Sequence, residues 1–191
     1  MGSNYMTDPV VFLIDTLFSL YILAVMLRFL LQWTQADFYN PISQLLVKIT
    51  HPPLRMMRRF IPAVGRIDTS SLVLALALQI LANFAILAIK GVMISIVGLA
   101  VLSFTDLLKM LLDIFVYAIF AGAILSWFAP GSYSGASSLL YSLTDPILNI
   151  CRRVVPDLGG IDLSPLVALV LLQLAKMMIL PPLHQLAGLL S

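Results

Sequence analysis

Four stretches of this chain are apolar almost without interruption, and shorter, more polar segments separate them. They run from about Val10 to Trp33, Leu72 to Ile96, Leu107 to Phe128 and Leu166 to Leu190. Each is long enough to supply the roughly 20 mainly apolar residues that a helix needs to cross a bilayer. The fourth contains Pro181-Pro182. Each proline lacks an amide donor and its ring crowds the preceding turn, so a kink or an end to the regular helix is expected there. Val97 to Phe104 is too short to cross and too apolar for an ordinary loop, which predicts a tight turn near the outer surface. The pattern as a whole predicts an all-α integral membrane protein with four transmembrane helices.

The segments after the first and third spans have a pattern of their own. Thr144-Asp145-Pro146 looks like a helix start, a polar cap followed by proline at the first helical position. Ile147, Leu148, Ile150, Cys151, Val154 and Val155 then form an apolar face interrupted by Asn149, Arg152 and Arg153. Pro156 and Gly159-Gly160 stop it. The earlier segment repeats the design, with Leu54, Met56, Met57, Phe60 and Ile61 around Arg55, Arg58 and Arg59. Both fit a short amphipathic helix lying in the headgroup layer. Ser164-Pro165 is an N-cap signal for the fourth span, and Ser70 is its counterpart for the second. Asp68 and Asp162 come just before, where a negative charge is favoured by the helix dipole.

A shift of 94 positions aligns the two halves without a gap. Trp33 falls on Trp127, Pro52 on Pro146, Arg58-Arg59 on Arg152-Arg153, Gly65 on Gly159, Ile67-Asp68 on Ile161-Asp162, Ser70 on Ser164 and Gln79 on Gln173. Chance matching of leucines does not place Arg-Arg, Gly, Ile-Asp and Ser in one register, so the chain is an internal duplication. It divides into a tail over 1–9, a first repeat over 10–96, an apolar connector over 97–104 and a second repeat over 105–191. Each copy holds two spans, so both enter the membrane from the same side as parallel tandem repeats. Lys48, Arg55, Arg58, Arg59 and Arg66 in one basic segment, and Arg152 and Arg153 in the other, make both segments cytoplasmic by the positive-inside rule. Both termini are then expected outside.

Composition changes the picture little. The chain is 61% hydrophobic and 10% charged, and the apolar excess must face lipid. The apolar stretch after the uncharged-to-acidic start does not read as a cleaved signal peptide. One cysteine, Cys151, excludes an intrachain disulfide and is expected as a buried structural residue. His51 and His184 are in unrelated contexts, and interface or packing roles are expected for them rather than metal binding. Nothing in the sequence has the spacing of a phosphate loop or an activated nucleophile, so no enzyme activity and no cofactor are expected. Within the spans, Arg28 is expected to snorkel to the cytoplasmic interface, with Gly122, its repeat partner, leaving room on the pseudo-twofold. Gly122 also belongs to an Ala118-x-x-x-Gly122-x-x-x-Ser126 stripe suited to close helix packing. Gln79 and Gln173 read as interhelical glue, and Lys109 and Asp113 as a local pair one turn apart.

The stretch Asp37-Phe38-Tyr39-Asn40-Pro41, the Pro-x-Leu-x-x-x-Arg-Arg-x-x-Pro runs and both Gly-x-Ile-Asp-x-Ser turns resemble the bacterial YggT family and its YlmG relatives, over essentially the whole chain. The resemblance implies a small bacterial inner-membrane protein linked to osmotic and potassium stress tolerance, and in other lineages to division-site or nucleoid organisation and plastid cytochrome assembly. It carries over no catalytic residue. Two functions from different classes follow as expectations. One is a non-enzymatic membrane scaffold or assembly factor, with Arg55, Arg58, Arg59, Arg152 and Arg153 toward anionic lipids or a membrane-protein partner. Gly65, Asp68, Ser70, Gly159, Asp162 and Ser164 then build its turns, with Asp68 and Asp162 pairing with the arginine doublets. The alternative is a small channel or transporter component, as a homo-oligomer, using Arg28, Gln79 or Gln173. Few charges read as lying at mid-membrane, which favours the first, and no nucleic acid is expected.

Overall fold

The computed structural model describes residues 4–62, 67–128, 135–153 and 162–190, with backbone alone for 4–6, 127 and 128. Among these residues six helices follow in order: α1 (Asn4–Trp33), α2 (Pro41–Met57), α3 (Thr69–Lys90), α4 (Ile96–Phe128), α5 (Gly135–Arg152) and α6 (Ser164–Leu189). Four of them, α1, α3, α4 and α6, are long and apolar enough to cross a membrane. The 94-residue shift carries Pro41 of α2 onto Gly135 of α5, the two helix starts.

Helix α1 packs on α3 and α4 packs on α6, the two helix pairs of the repeats, and α3 against α4 joins them. The main core forms where α1, α3 and α4 converge, around Ile22, Val25, Leu30, Leu74, Ala75, Ile114 and Phe115. Leu54 of α2 and Leu143 of α5 close it at one end. A smaller cluster of Ile119, Leu148, Cys151 and Ala168 fastens α5 to α4 and α6, so Cys151 is buried packing as expected. Outward, Phe12, Leu17, Leu20, Phe84, Tyr117, Leu166 and Met178 are exposed around the helix bundle. An apolar belt of this kind costs nothing only against hydrocarbon.

Two expectations about the spans change here. Val97 to Phe104 is not a turn but the opening of α4, and the connector is confined to the few residues between Lys90 and Ile96. Gly98 makes this possible. An added Cβ there would lie 3.1 Å from the Ala187 carbonyl oxygen and 3.2 Å from that of Leu190, so α4 starts directly against the end of α6. Pro181-Pro182 does not end α6, which runs on to Leu189.

The amphipathic helices also begin earlier than expected, and their prolines lie inside them. For α2 the cap is Asn40, whose side chain accepts from the Ile42 amide at 2.9 Å, with Pro41 in the first turn. Thr50 and Thr144 are not caps. Their hydroxyls donate back to the Leu46 and Leu140 carbonyls, one turn earlier in their own helices. Pro53 withholds a donor from the Ile49 carbonyl, and the Tyr21 hydroxyl of α1 approaches that oxygen at 3.4 Å. Ser164 likewise is the first residue of α6 rather than its cap.

Candidate functional site

Helices α2 and α5 meet at one end of the bundle, so both basic segments share that end. The Asn40 amide donates to the Gly135 carbonyl at 2.6 Å and ties the first repeat to the second. Gly135 leaves the space for it, since a Cβ there would lie 2.8 Å from the Asn40 nitrogen. Asn40 belongs to the Asp37–Pro41 motif, but nothing local in the sequence gives it this bridging role. Its tie to Gly135 is a contact between sites far apart in sequence.

On α2 the usual amphipathic arrangement is inverted. Small polar Ser43 and Thr50 are buried with Leu54, while Ile42, Leu45, Ile49 and Met56 form an exposed apolar stripe. These four are separated by three, four and seven residues, one helical face. Lys48 and Arg55, seven residues apart, stand exposed beside it, and Phe38, Tyr39 and Phe60 are exposed at its ends. Phe38, Gln44, Val47, Lys48, His51 and Pro52 line an open groove on the same helix. Helix α5 shows less of this, with Tyr141 and Ile150 exposed and Leu139, Leu143 and Leu148 buried.

The arginine doublets divide their work. Arg58 pairs with Asp68 and Arg152 Nε with Asp162 at 3.0 Å, ten residues apart in both copies. The two pairs differ in setting. Asp68 is fully buried, and the same oxygen accepts from the Ser71 hydroxyl at 2.9 Å. Its other oxygen accepts no hydrogen bond among the described residues. Burial pushes the Asp68 carboxyl up, but the hydrogen bonds from Arg58 and Ser71 outweigh it and hold the group below the usual carboxylate range. Asp162 is 39% exposed, accepts the Ser164 amide at 2.9 Å, and is also held low, burial being outweighed by Ser164 and Arg152. Arg59 and Arg153 are exposed and make no ion pair among the described residues. Gly65, Arg66 and Gly159 lie outside the described residues.

Ser70 is buried, and its hydroxyl donates to the Ile61 carbonyl at 2.6 Å, locking the end of α2 to the start of α3. Arg28 reaches toward the basic end, but beneath α2 rather than to open surface. It is 6% exposed and donates to the Thr50 hydroxyl at 2.8 Å and the Val47 carbonyl at 3.3 Å, within electrostatic range of Arg58 and Asp68. Its reach is to α2 of its own repeat, so Gly122 does not serve as its berth. A Cβ added at Gly122 would meet nothing within 4 Å, and the small-residue stripe makes no close approach there.

Away from the basic end, the structure assembles a polar network inside the apolar helices that the sequence left scattered. Asp113 of α4 takes its near partner from Lys176 of α6, with Lys109 more distant at 3.7 Å. Gln79 donates to Asn83 at 3.3 Å, and the Asn83 amide nitrogen reaches Ser103 at 3.1 Å and Asp106 at 2.8 Å. The other Asp106 oxygen faces His184 Nε2 at 3.9 Å. Gln79 is thus glue within a network, whereas Gln173, its repeat equivalent, is exposed beside Tyr117 and Phe120. A cue was available: Lys109, Asp113 and Lys176 are charges within spans, and such charges are functional candidates by default. Among the described residues, no group of three or more His, Cys, Asp or Glu is placed to hold a metal ion.

With this geometry in view, comparisons with known proteins are informative. The model of the CCB3/YggT family matches residues 7–89 and again 101–183, displaced by the same 94 positions. An uncharacterised protein of Pseudomonas aeruginosa is 40% identical over 180 residues, covering 93% of this chain and 91% of its own. Escherichia coli YggT is 37% identical over 172 residues, 89% of this chain and 88% of its own. A YlmG homolog of Arabidopsis thaliana chloroplasts is 45% identical over 49 residues, 26% of this chain and 19% of its own. No solved structure matches. The chain belongs to the CCB3/YggT family.

Proposed function

We propose that the chain is a non-enzymatic scaffold or assembly factor of the bacterial inner membrane, seated through α2 and α5 in the cytoplasmic headgroup layer. One observation carries this reading: α2 exposes a large-apolar stripe and a basic edge together at the end where the two repeats meet. An amphipathic helix in the interface needs that pairing, apolar side chains into acyl chains and cations at anionic headgroups. The positive-inside rule then puts both basic segments in the cytoplasm and both termini outside. Arg58 and Arg152 are held by aspartates, so Lys48, Arg55, Arg59 and Arg153 are assigned to lipid or a membrane-protein partner. The osmotic and potassium stress link implied by the family resemblance would be a consequence of this role.

The test is native mass spectrometry of the full chain with anionic phospholipid, comparing wild type with Arg55→Gln/Arg59→Gln/Arg153→Gln. Each removed cation should lower lipid affinity by about 1 kcal/mol. Unchanged retention of anionic lipid would reject the headgroup role. Crosslinking that recovers a stoichiometric membrane-protein partner supports a scaffold. The second reading, a channel or transporter component, is favoured by the Asp113–Lys176 and Asp106–His184 contacts between spans. Self-crosslinks alone would move the balance toward it.

A further inference from the structure

The Asp106, Asn83 and His184 side chains join three helices, and α3 and α6 make no direct packing contact with each other. Asp106 lies on α4 between them, with one oxygen toward Asn83 of α3 and the other toward His184 of α6. The repeat does not explain this arrangement. Its positions in the first copy hold Phe12 in place of Asp106 and Lys90 in place of His184, so the joint exists once. Both residues lie far from the basic segments. His184 is about 30 Å along α6 from Ser164, and Asp106 about 33 Å along α4 from Phe128, at 1.5 Å per residue.

The hydrogen bonds fix the chemistry. His184 Nδ1 lies 2.9 Å from the Leu180 carbonyl oxygen. A carbonyl only accepts, so Nδ1 carries the hydrogen and a neutral ring presents Nε2 as a bare lone pair. That lone pair faces a carboxylate oxygen at 3.9 Å, acceptor against acceptor, with no hydrogen between them. A proton on Nε2 converts the contact into an ion pair without rotating the ring. A metal cation fits less well. The Asn83 nitrogen, not its oxygen, points at Asp106 and Ser103, and a cation needs converging oxygens. Other charged groups act on the same spot: Asp15 of α1 and Lys109 of α4 act electrostatically on Asp106. Lys176 of α6 is engaged with Asp113.

We infer that His184 Nε2, facing Asp106, is a proton-binding site in the half of the protein opposite the basic segments, linking α6 through α4 to Asn83 of α3. Its ligand is a single proton, taken by the imidazole lone pair to give an imidazolium, with the carboxylate remaining ionised. The inference does not depend on a scaffold or a transport role.

The experiment uses the full chain labelled with nitrogen-15 histidine in lipid nanodiscs, with His51→Gln assigning the second ring. Imidazole nitrogen shifts are followed from alkaline to acid pH. At alkaline pH His184 should show a protonated Nδ1 and a bare Nε2, the tautomer disfavoured in free histidine. On acidification Nε2 alone should gain a proton. In Asp106→Asn the same proton should require more acid, because the amide offers no charge to the imidazolium. A protonated Nε2 at alkaline pH in the wild type overturns the inference without recourse to any Asp106 variant. So does a titration that Asp106→Asn leaves unchanged, or an infrared band showing that the carboxyl takes the proton instead.

Discussion

Removing Arg58 should cost this protein far more than removing its repeat equivalent, Arg152. Arg58→Gln strands the Asp68 carboxylate, which is 0% exposed and would retain one oxygen bonded to Ser71 and another already without a donor. Breaking a buried pair from one side costs about 3–5 kcal/mol. The Arg58 side chain is itself 40% exposed, so the lower end of that range, about 3 kcal/mol, applies. Arg152 and Asp162 are 44% and 39% exposed, and solvent screening reduces their coupling to about 1 kcal/mol or less. The assay is a double-mutant cycle on unfolding in mixed micelles, Arg58→Gln with Asp68→Asn against Arg152→Gln with Asp162→Asn. The pH dependence supplies a second reading. Asp68 is held below its ordinary value in the folded chain, so its contribution is fully present above the unfolded carboxyl value of about 3.9. It is lost as pH falls through the lower folded value, and Asp68→Asn should flatten that acid limb. Equal coupling in the two repeats, or identical acid limbs, would refute the assignment of a buried and an exposed version of one pair.

Thr50→Val should destabilise by about 1–3 kcal/mol, because it removes the nearer of two acceptors of the buried Arg28 guanidinium; thermal unfolding in detergent measures it. Gly98→Ala should cost about 1–3 kcal/mol through its clash with the α6 carbonyls, whereas Gly122→Ala, with open space around it, should gain up to about 1 kcal/mol of helix propensity. The same unfolding assay separates the two, and matching effects would contradict the close approach of α4 and α6. Asp113→Asn should destabilise by about 3–5 kcal/mol because it leaves Lys176 unpaired among apolar helices, whereas Lys176→Met should cost less, since Lys109 stays 3.7 Å from Asp113, and the double variant should recover most of the loss. Impermeant thiol labelling of cysteines at Ser3, Arg59, Arg153 and Ser191 checks the orientation. The Arg59 and Arg153 sites should stay protected, and opposite labelling of these two would contradict parallel repeats.

By itself the sequence determined the elements and their duplication. Hydrophobic run length sets which helices can cross a bilayer, and that is a local property, so four spans were readable, although the third begins at Ile96 rather than Leu107. The register of Arg58 to Asp68 and Arg152 to Asp162 was readable too, because both copies keep the same ten-residue separation between arginine and aspartate. Helix starts were harder. Pro146 resembles a first-turn proline, and only a neighbouring helix or a side chain that takes up the freed carbonyl allows a proline inside, as Tyr21 does beside Pro53. The burial of Arg28 depended on where α2 lies, which its own helix does not specify. The intramembrane network was the least legible part. Lys176 and Asp113 are 63 residues apart, and Asn83, Asp106 and His184 come from three helices, so their meeting is a property of packing alone. Exact duplication predicts equivalent sites, and these positions have none. The polar positions that matter here are those at which the copies differ, and tertiary packing alone brings them to one side of α4.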